Sequence, residues 1–376
     1  MRLGLVGYGV GGRYFHAPFI RAADGVELAG VVARAETTRA RVREDLPDTP
    51  VFASLTEMLA SCALEPGVDA VTITTPPATR RDLVLEAIAE GVHVVADKPF
   101  APSAPAAREV ARAAEDAGVL LSVFHNRRFD ADLRTLRGVL ESGRLGELWR
   151  VHSRFDLDEP HQLEAGPDGG LLRDLGTHLV DQMMWLLGPV TAVHAHLDHV
   201  DLPEGRTDAS FVIDLQHASG VHSHVSSSKL NHLAERTLRA YGARGSYEVT
   251  SSDVQAQAVF AGQDPAADRE GWGFDAPENA GVLRTDEGEQ RVPSVQGAYF
   301  AFYEQFARAC AGKGPAPSPA DEGWPCSPCS MPRAAVRRRG RWRRSGGCRA
   351  GPSGPCPQAA RASGIPGITS TCPPTR

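Results

Sequence analysis

Three stretches of the 376-residue chain carry groups that act on protons or anions. In the segment from Gly169 to Gln182, Asp174 and His178 stand four apart within a helical pattern, which sets a carboxylate and an imidazole on one helical face. Imidazole titrates near neutrality, so it suits the removal of a hydroxyl proton as hydride leaves the carbon of a secondary alcohol. Asp174 would then be its neighbour or a substrate ligand. Spacing alone favours a plainer reading, a carboxylate near a helix N-terminus and a satisfied histidine. The second stretch, Asp97-Lys98-Pro99, sits on a short link after an apolar run, where Lys98 can present an ammonium to a hydroxyl or carbonyl oxygen. A loop lysine is ordinarily only solvated, so that position is a weak signal by itself.

The third stretch, Gly7-Tyr8-Gly9-Val10-Gly11-Gly12, contains Gly-x-Gly-x-x-Gly directly after an apolar run and ahead of a helical segment. In that context Gly7 permits a tight turn, Gly9 lets main chain approach a pyrophosphate, and Gly12 permits close packing of helix on strand. The following helix N-terminus offers unpaired N–H groups to a phosphate. A plain glycine turn is the alternative. Sites that prefer NAD usually carry a carboxylate at the tip of the second strand, for the ribose 2′-hydroxyl. Here the tip reads Val31-Val32-Ala33-Arg34, and Arg34 with Thr37 and Thr38 suits a 2′-phosphate. NADP(H) is therefore the expected cofactor, with NAD(H), and Glu36 at the ribose, as the alternative. A further strand ends in Thr74-Thr75-Pro76-Pro77, which puts Thr75 and Pro76 where open α/β sheets bind ligands.

The elements that must position these groups follow from hydrophobic rhythm. Apolar runs at Leu3–Val6, Leu28–Val32, Ala70–Thr74, Val92–Val95 and Val119–Phe124 alternate with helical patterns. Runs apolar on both faces require cover on both faces, which predicts a doubly wound α/β domain with a parallel sheet over residues 1–125. After a helix from Asp130, its proposed N-cap, to Leu140, a strand covers Leu148–Asp156 and a helix Leu171–Leu187. Strand patterns then succeed one another at Thr191–Asp198, Ala209–Leu215, Val221–Ser226, Thr237–Tyr241 and Ser246–Thr250, and a last helix spans about Ala298–Ala311. Strands without intervening helices predict an α+β second domain, 126–321, with a largely antiparallel sheet. Residues 322–376 form an irregular tail rich in Arg, Pro, Gly and Cys.

Composition excludes several classes. With 42% apolar and 23% charged residues the bulk is neither disordered nor collagenous, and the length fits two domains. No run reaches the 18 apolar residues of a membrane helix, and the N-terminus enters glycines before a signal core can form, so the cytoplasm is the expected location. From Trp324 on there are ten Arg and no acidic residue, so the −6 of the whole chain conceals −16 in the remainder. Five of the seven Cys also lie there, leaving Cys62 and Cys310 in the body, too few for a disulfide framework. Cys326-x-x-Cys329 lacks a second regular pair for zinc. The run Arg337-Arg338-Arg339-Gly340-Arg341-Trp342-Arg343-Arg344 reads as a nucleic-acid patch only as the last-ranked function. Back-translation suggests another origin: one base earlier, the Trp324–Pro325 and Met331–Pro332 junctions must encode alanine, and the shifted frame can read as an amphipathic helix. The tail is expected to be a frameshift product.

The Gly-rich turn, the Asp97-Lys98-Pro99 segment and Asp174-x-Gly176-x-His178, in this order, resemble the Gfo/Idh/MocA oxidoreductases. Phe15-His16-Ala17-Pro18, the stretch Leu121 to Asp130, Asp174 to Gln182, and Pro293-Ser294-Val295-Gln296-Gly297 resemble the branch with NADP-dependent scyllo-inositol and related sugar or polyol dehydrogenases. The resemblance spans about residues 1–321. It implies a Rossmann domain joined to an open mixed-sheet domain, with Lys98, Asp174 and His178 at the positions that members use for catalysis. It further implies hydride transfer between nicotinamide and a sugar, cyclitol or related polyol without a metal, and assembly as a homodimer or homotetramer. A dinucleotide-binding protein without turnover, a sensor or an inactivated enzyme, is the alternative. Two positions depart from the family pattern: its common Glu-Lys-Pro is Asp97-Lys98-Pro99 here, and Arg80 stands where histidine is frequent. Asn126 is expected to border the nicotinamide, and Arg127 and Arg128 to pair with carboxylates at the surface.

Overall fold

In a computed structural model that describes residues 1–61, 67–101, 103–166 and 169–320, the N-terminal apolar runs become parallel strands. Strands β1 (Arg2–Val6), β2 (Glu27–Val32), β3 (Val51–Phe52), β4 (Ala70–Ile73), β5 (His93–Ala96) and β6 (Leu121–Val123) form one sheet in the order β3-β2-β1-β4-β5-β6. Every neighbouring pair is parallel. Adjacent residues such as Val94, Val95 and Ala96 are all buried, as a sheet covered on both faces demands. The cover comes from crossover helices α1 (Ala17–Ala22), α2 (Glu36–Asp45), α3 (Leu55–Ala60), α4 (Pro77–Ala89) and α5 (Ala104–Ala117). The strand order reverses between β1 and β4, and ligands bind at the strand carboxyl ends of such a reversal. Two-residue β3 is too short to leave a periodic trace and was not expected.

The second sheet is mixed. It contains β7 (Leu148–Asp156), β8 (Val190–Leu202), β9 (Gly205–His217), β10 (His222–Ser228), β11 (Glu235–Gly242), β12 (Gly245–Thr250), β13 (Gly281–Thr285) and β14 (Gly288–Val292), ordered β14-β13-β12-β11-β7-β10-β9-β8. Only the β7–β10 pair is parallel. In β9 the alternate residues Phe211, Ile213 and Leu215 point into a core shared with Leu133 and Leu136 of α6 (Ala131–Glu141) and Leu179 and Met183 of α7 (Thr177–Leu187). Hairpin β13–β14 and helix α8 (Val254–Phe260) have no counterpart among the predicted elements.

Asp130 occupies the cap position of α6, but its carboxylate makes no bond to the helix N-terminus. It is buried and accepts from Tyr299 Oη at 2.5 Å and Arg236 Nη2 at 2.6 Å, because a guanidinium and a phenol inside the protein need an acceptor more than helix N–H groups do. Helix α9 (Phe300–Cys310) packs Phe302, Tyr303 and Phe306 with Leu3, Phe19 and Val95 of the first sheet and α1. Past α9, Pro319 bridges antiparallel to Ser122, and Ser318 accepts from the Val123 amide at 2.9 Å. Residues 1–320 all fall within one compact unit. No helix among the described residues is long and apolar enough to cross a membrane. Cys62, Cys326-x-x-Cys329, the arginine run and the shifted-frame segment lie outside the described residues.

Candidate active site

The glycine turn after β1 has the backbone geometry that its sequence predicts at Gly7 and Gly12. Gly7 adopts φ +104°, a conformation that side-chain-bearing residues rarely take. A Cβ on Gly12 would lie 2.2 Å from the Gly7 carbonyl oxygen, whereas one on Gly9 would meet nothing within 4 Å. Gly12 is therefore required by packing, whereas Gly9 faces open space. Tyr8 anchors the turn from below, donating to Asp45 Oδ2 at 3.1 Å, and Arg13 grips the same carboxylate at 2.7 and 2.9 Å.

Beside this turn runs a groove of about 670 Å³ lined by Gly7, Gly9, Arg34, Thr38, Thr75 and Pro76 among others. Its volume and mixed lining suit a nucleotide. Arg34 is exposed at the tip of β2. Glu36, the alternative ribose ligand, is held by Arg39 at 2.8 Å and Arg43 at 2.9 Å and does not line the groove.

Arg80, from the first turns of α4, ties together the loops at the ends of β4 and β5. Its guanidinium donates to the carbonyls of Thr75 at 2.6 Å, Asp97 at 2.7 Å and Pro99 at 2.5 Å, and the residue is 3% exposed. The side chain that departs from the family pattern thus braces both sides of Lys98. The Lys98–Pro99 peptide is cis. Asp97 accepts from the Lys98 amide at 2.8 Å, and its Oδ2 faces His16 Nε2 at 3.6 Å. Burial would raise the Asp97 carboxyl, but His16, Arg80 and Lys98 bring it down to about 2.

Lys98 reaches the second sheet. Its Nζ lies 2.8 Å from the carbonyl oxygen of Asp174 and 3.1 Å from Asp174 Oδ1. Asp174 stands in a π-helical turn, Leu172–Gly176, that leads into α7. Such turns recur at functional sites because they re-aim side chains. Asp208 of β9 secures the start of this turn by accepting from the Leu172 amide at 2.6 Å. Gly170, at φ +100°, makes room, since a Cβ there would lie 2.2 Å from Asp208 Oδ1. On its other side, Asp174 Oδ2 accepts from Lys229 Nζ at 3.0 Å. Desolvation in the cleft pushes the Asp174 carboxyl up, yet the two ammonium groups outweigh it and hold the carboxyl well below the usual range. Asp174 is thus a permanent anion near neutrality and has no proton to give.

His178 is buried in the first turn of α7, and its Nδ1 has no hydrogen-bond partner. Burial, then the positive charges of Lys98 and Arg127, keep its imidazole neutral well below the ordinary titration point. His125 stands edge-on to it, ring centroids 6.2 Å apart, and is pushed down to about 4 by burial, with Asp181 opposing and Arg128 and Lys98 adding to the shift. Neutral His178, near an ammonium and a fixed carboxylate, has a ring nitrogen that can accept a proton from a hydroxyl whose oxygen the ammonium contacts.

Asn126 is buried at the start of a 3-10 turn, Asn126–Phe129, and is not part of the groove lining. Arg127 and Arg128 do pair with carboxylates, but inside the protein rather than at its surface: Arg127 with Asp253 at 2.9 Å and Arg128 with Asp181 at 2.7 Å. Lys229, Asp97 and His125 were not among the candidate residues. Asp97 and His125 each adjoin a singled-out segment, whereas nothing around Lys229 in sequence marks it. Among the described residues no group of His, Cys, Asp and Glu is arranged to hold a metal.

A family model for an oxidoreductase NAD-binding Rossmann fold matches residues 1–125, and one for the GFO/IDH/MocA C-terminal domain matches residues 133–248. The oxidoreductase YdgJ of Escherichia coli is 35% identical over 341 residues, 86% of this chain and 92% of that protein. The scyllo-inositol 2-dehydrogenase (NADP(+)) IolW of Bacillus subtilis is 29% identical over 333 residues, 86% of this chain and 90% of its own. Among solved structures, the oxidoreductase YvaA from Bacillus subtilis superposes with a TM-score of 0.77 at 28% identity, covering 86% of this chain and 93% of that one. The oxidoreductase YPO2259 from Yersinia pestis gives 0.76 at 33%, covering 87% and 91%.

Proposed function

The chain belongs to the Gfo/Idh/MocA oxidoreductase family, and we propose that it interconverts a secondary alcohol and a ketone on a sugar, cyclitol or related polyol with NADP(H). The observation that carries this reading is the contact of Lys98 with Asp174 beside buried, neutral His178, at the strand ends that also hold the glycine turn. Gly7, Gly9 and Gly12 would hold the pyrophosphate, Thr75 and Pro76 the inner edge of the groove, and Arg34 the 2′-phosphate. The open space at Gly9 supports that fit. When bound, the nicotinamide accepts or supplies the hydride.

The chain's own residues do the rest. An ammonium has three donors, and Asp174 takes two of those on Lys98, so the third is left for the oxygen of the reacting carbon. In oxidation His178 takes the hydroxyl proton while Lys98 stabilises the charge that develops on oxygen; in reduction both steps reverse. Asp174, ionised throughout, orients Lys98. A polyol substrate is supported by the name of IolW, and the NADP preference by that name together with exposed Arg34 and engaged Glu36. We expect a homodimer or homotetramer. The test is a panel of cyclitols, aldoses and polyols with NADP+ and NAD+, followed at the reduced nicotinamide absorbance. Turnover of a polyol with NADP+ in preference to NAD+ is expected. Binding of NADPH without turnover of any member of the panel would favour a non-catalytic binder.

A further inference from the structure

Lys229 follows β10 and is 3% exposed, and its ammonium donates to Asp174 Oδ2 at 3.0 Å. Its backbone amide already pairs with the Ala209 carbonyl at 3.1 Å, so the strand end does not need a charged side chain to close. Stability does not ask for it either: the Asp174 side chain is 48% exposed, and an ion pair with one solvated partner adds little to stability although Lys229 has given up its water. A buried lysine aimed at the carboxylate that holds Lys98 calls for another reason.

We propose that Lys229 is a positioning residue for the reaction, fixing the Asp174 carboxylate through Oδ2 so that Oδ1 holds Lys98 toward the reacting oxygen. This rests on the reading of Lys98 and Asp174 given above. The terminal torsion of an aspartate is soft, and one contact on one oxygen leaves the group free to turn. Contacts on both oxygens, from Lys98 on the first sheet and Lys229 on the second, remove that freedom. The second cation has an electrostatic role as well. Lys229 adds a positive charge at the Lys98–Asp174 pair, near the site where an oxygen becomes negative. The charged groups that contact Asp174 are Lys98 from the loop after β5 and Lys229 from the end of β10. His125, after β6, stands behind His178.

The test compares wild type with Lys229→Met and Lys229→Arg in two readouts. Steady-state polyol oxidation is one. The other, independent of turnover, is the pH titration of the Asp174 carboxyl by 13C NMR in Asp-labelled protein, assigned with Asp174→Asn. Lys229→Met is expected to bind NADPH within about threefold of wild type, to lose about 10- to 100-fold in kcat with little change in KM, and to titrate Asp174 at higher pH. Lys229→Arg, which keeps the charge, is expected to recover most of the rate. A folded Lys229→Met with the wild-type rate and an unmoved Asp174 titration overturns the proposal. So does a loss of NADPH affinity in proportion to the loss of rate, which marks a merely structural role. Should Lys229→Met not fold, Lys229→Gln carries the same comparison. If the wild type turns over no polyol, the functional reading fails on its own, and the carboxyl titration still decides whether Lys229 holds Asp174.

Discussion

Lys98 Nζ stands 2.8 Å from the main-chain oxygen and 3.1 Å from Oδ1 of Asp174, although 76 positions separate the two residues. One comes from the end of a strand in the six-stranded sheet, the other from the turn that enters α7 under the eight-stranded sheet. The contact ties together residues from two halves of the chain. Each half contributes what it is built to supply, strand-end loops on one side and a covered helix on the other.

Replacing Lys98 by Met is expected to remove the donor to the reacting oxygen and leave the glycine turn intact. The rate should fall by about 10² to 10⁴, with NADPH affinity within a few-fold of wild type. Single-turnover absorbance and fluorescence titration measure the two separately. A parallel loss of both would assign Lys98 to cofactor binding instead.

Arg80→Ala would leave the carbonyls of Thr75, Asp97 and Pro99 without their shared donor. Unpartnered buried acceptors cost about 1 to 3 kcal/mol each where water does not replace the donor. The expectation is a loss of roughly 2 to 4 kcal/mol in urea unfolding, together with a lower kcat because the loop carrying Lys98 is no longer braced. Arg80→His, the residue frequent in the family, should recover part of both. A fully stable and fully active alanine variant would show that the brace is dispensable.

Arg34→Ser tests cofactor choice. A charge-assisted bond to a 2′-phosphate contributes about 1.5 to 3 kcal/mol, so NADPH should bind about 10- to 100-fold more weakly while NADH binds as before. Equal effects on the two cofactors would place Arg34 away from the 2′ position.

His125 links the site to acid stability. Burial drives its imidazole down to about 4 in the folded protein, against an ordinary value of 6.5. Between those values the unfolded chain takes up a proton that the folded chain refuses, so stability is present above pH 6.5 and is lost as pH falls toward 4. At pH 5 the loss from this residue is about 2 kcal/mol. Urea midpoints at pH 7.5 and 5.0 should differ less in His125→Gln than in wild type by about that amount. An unchanged difference would mean that His125 is protonated in the folded protein.

How much of this was legible in the sequence depended on the range of the forces involved. Gly7, Gly9 and Gly12 could be read because their constraints are local: a positive φ, an open approach and a helix start, all within six residues. Runs apolar on both faces gave away the parallel sheet, and alternation in β9 the second sheet. Lys98, Asp174 and His178 were singled out by residue type and motif order, and that they belong together followed from the family resemblance, not from their spacing. Asp130 illustrates the limit. The helix N-terminus that competes for its carboxylate is adjacent, while the partners that win, Arg236 and Tyr299, lie 106 and 169 positions away. Lys229 was invisible for the same reason, since nothing in Ser226-Ser227-Ser228-Lys229 tells that the side chain turns inward. Arg80 was noted only as a departure from the family pattern. Its three acceptors belong to loops that the fold alone brings around it.

The central claim is hydride transfer at a carbinol carbon held by Lys98. The most direct measurement is incubation of the protein with NADPH deuterated at nicotinamide C4 and a ketose or keto-cyclitol, with product analysis by NMR and mass spectrometry. One deuterium is expected at the new carbinol carbon, transferred from a single face, and no transfer with Lys98→Met. Tight NADPH binding without deuterium in any product, or equal transfer with Lys98→Met, would contradict the claim.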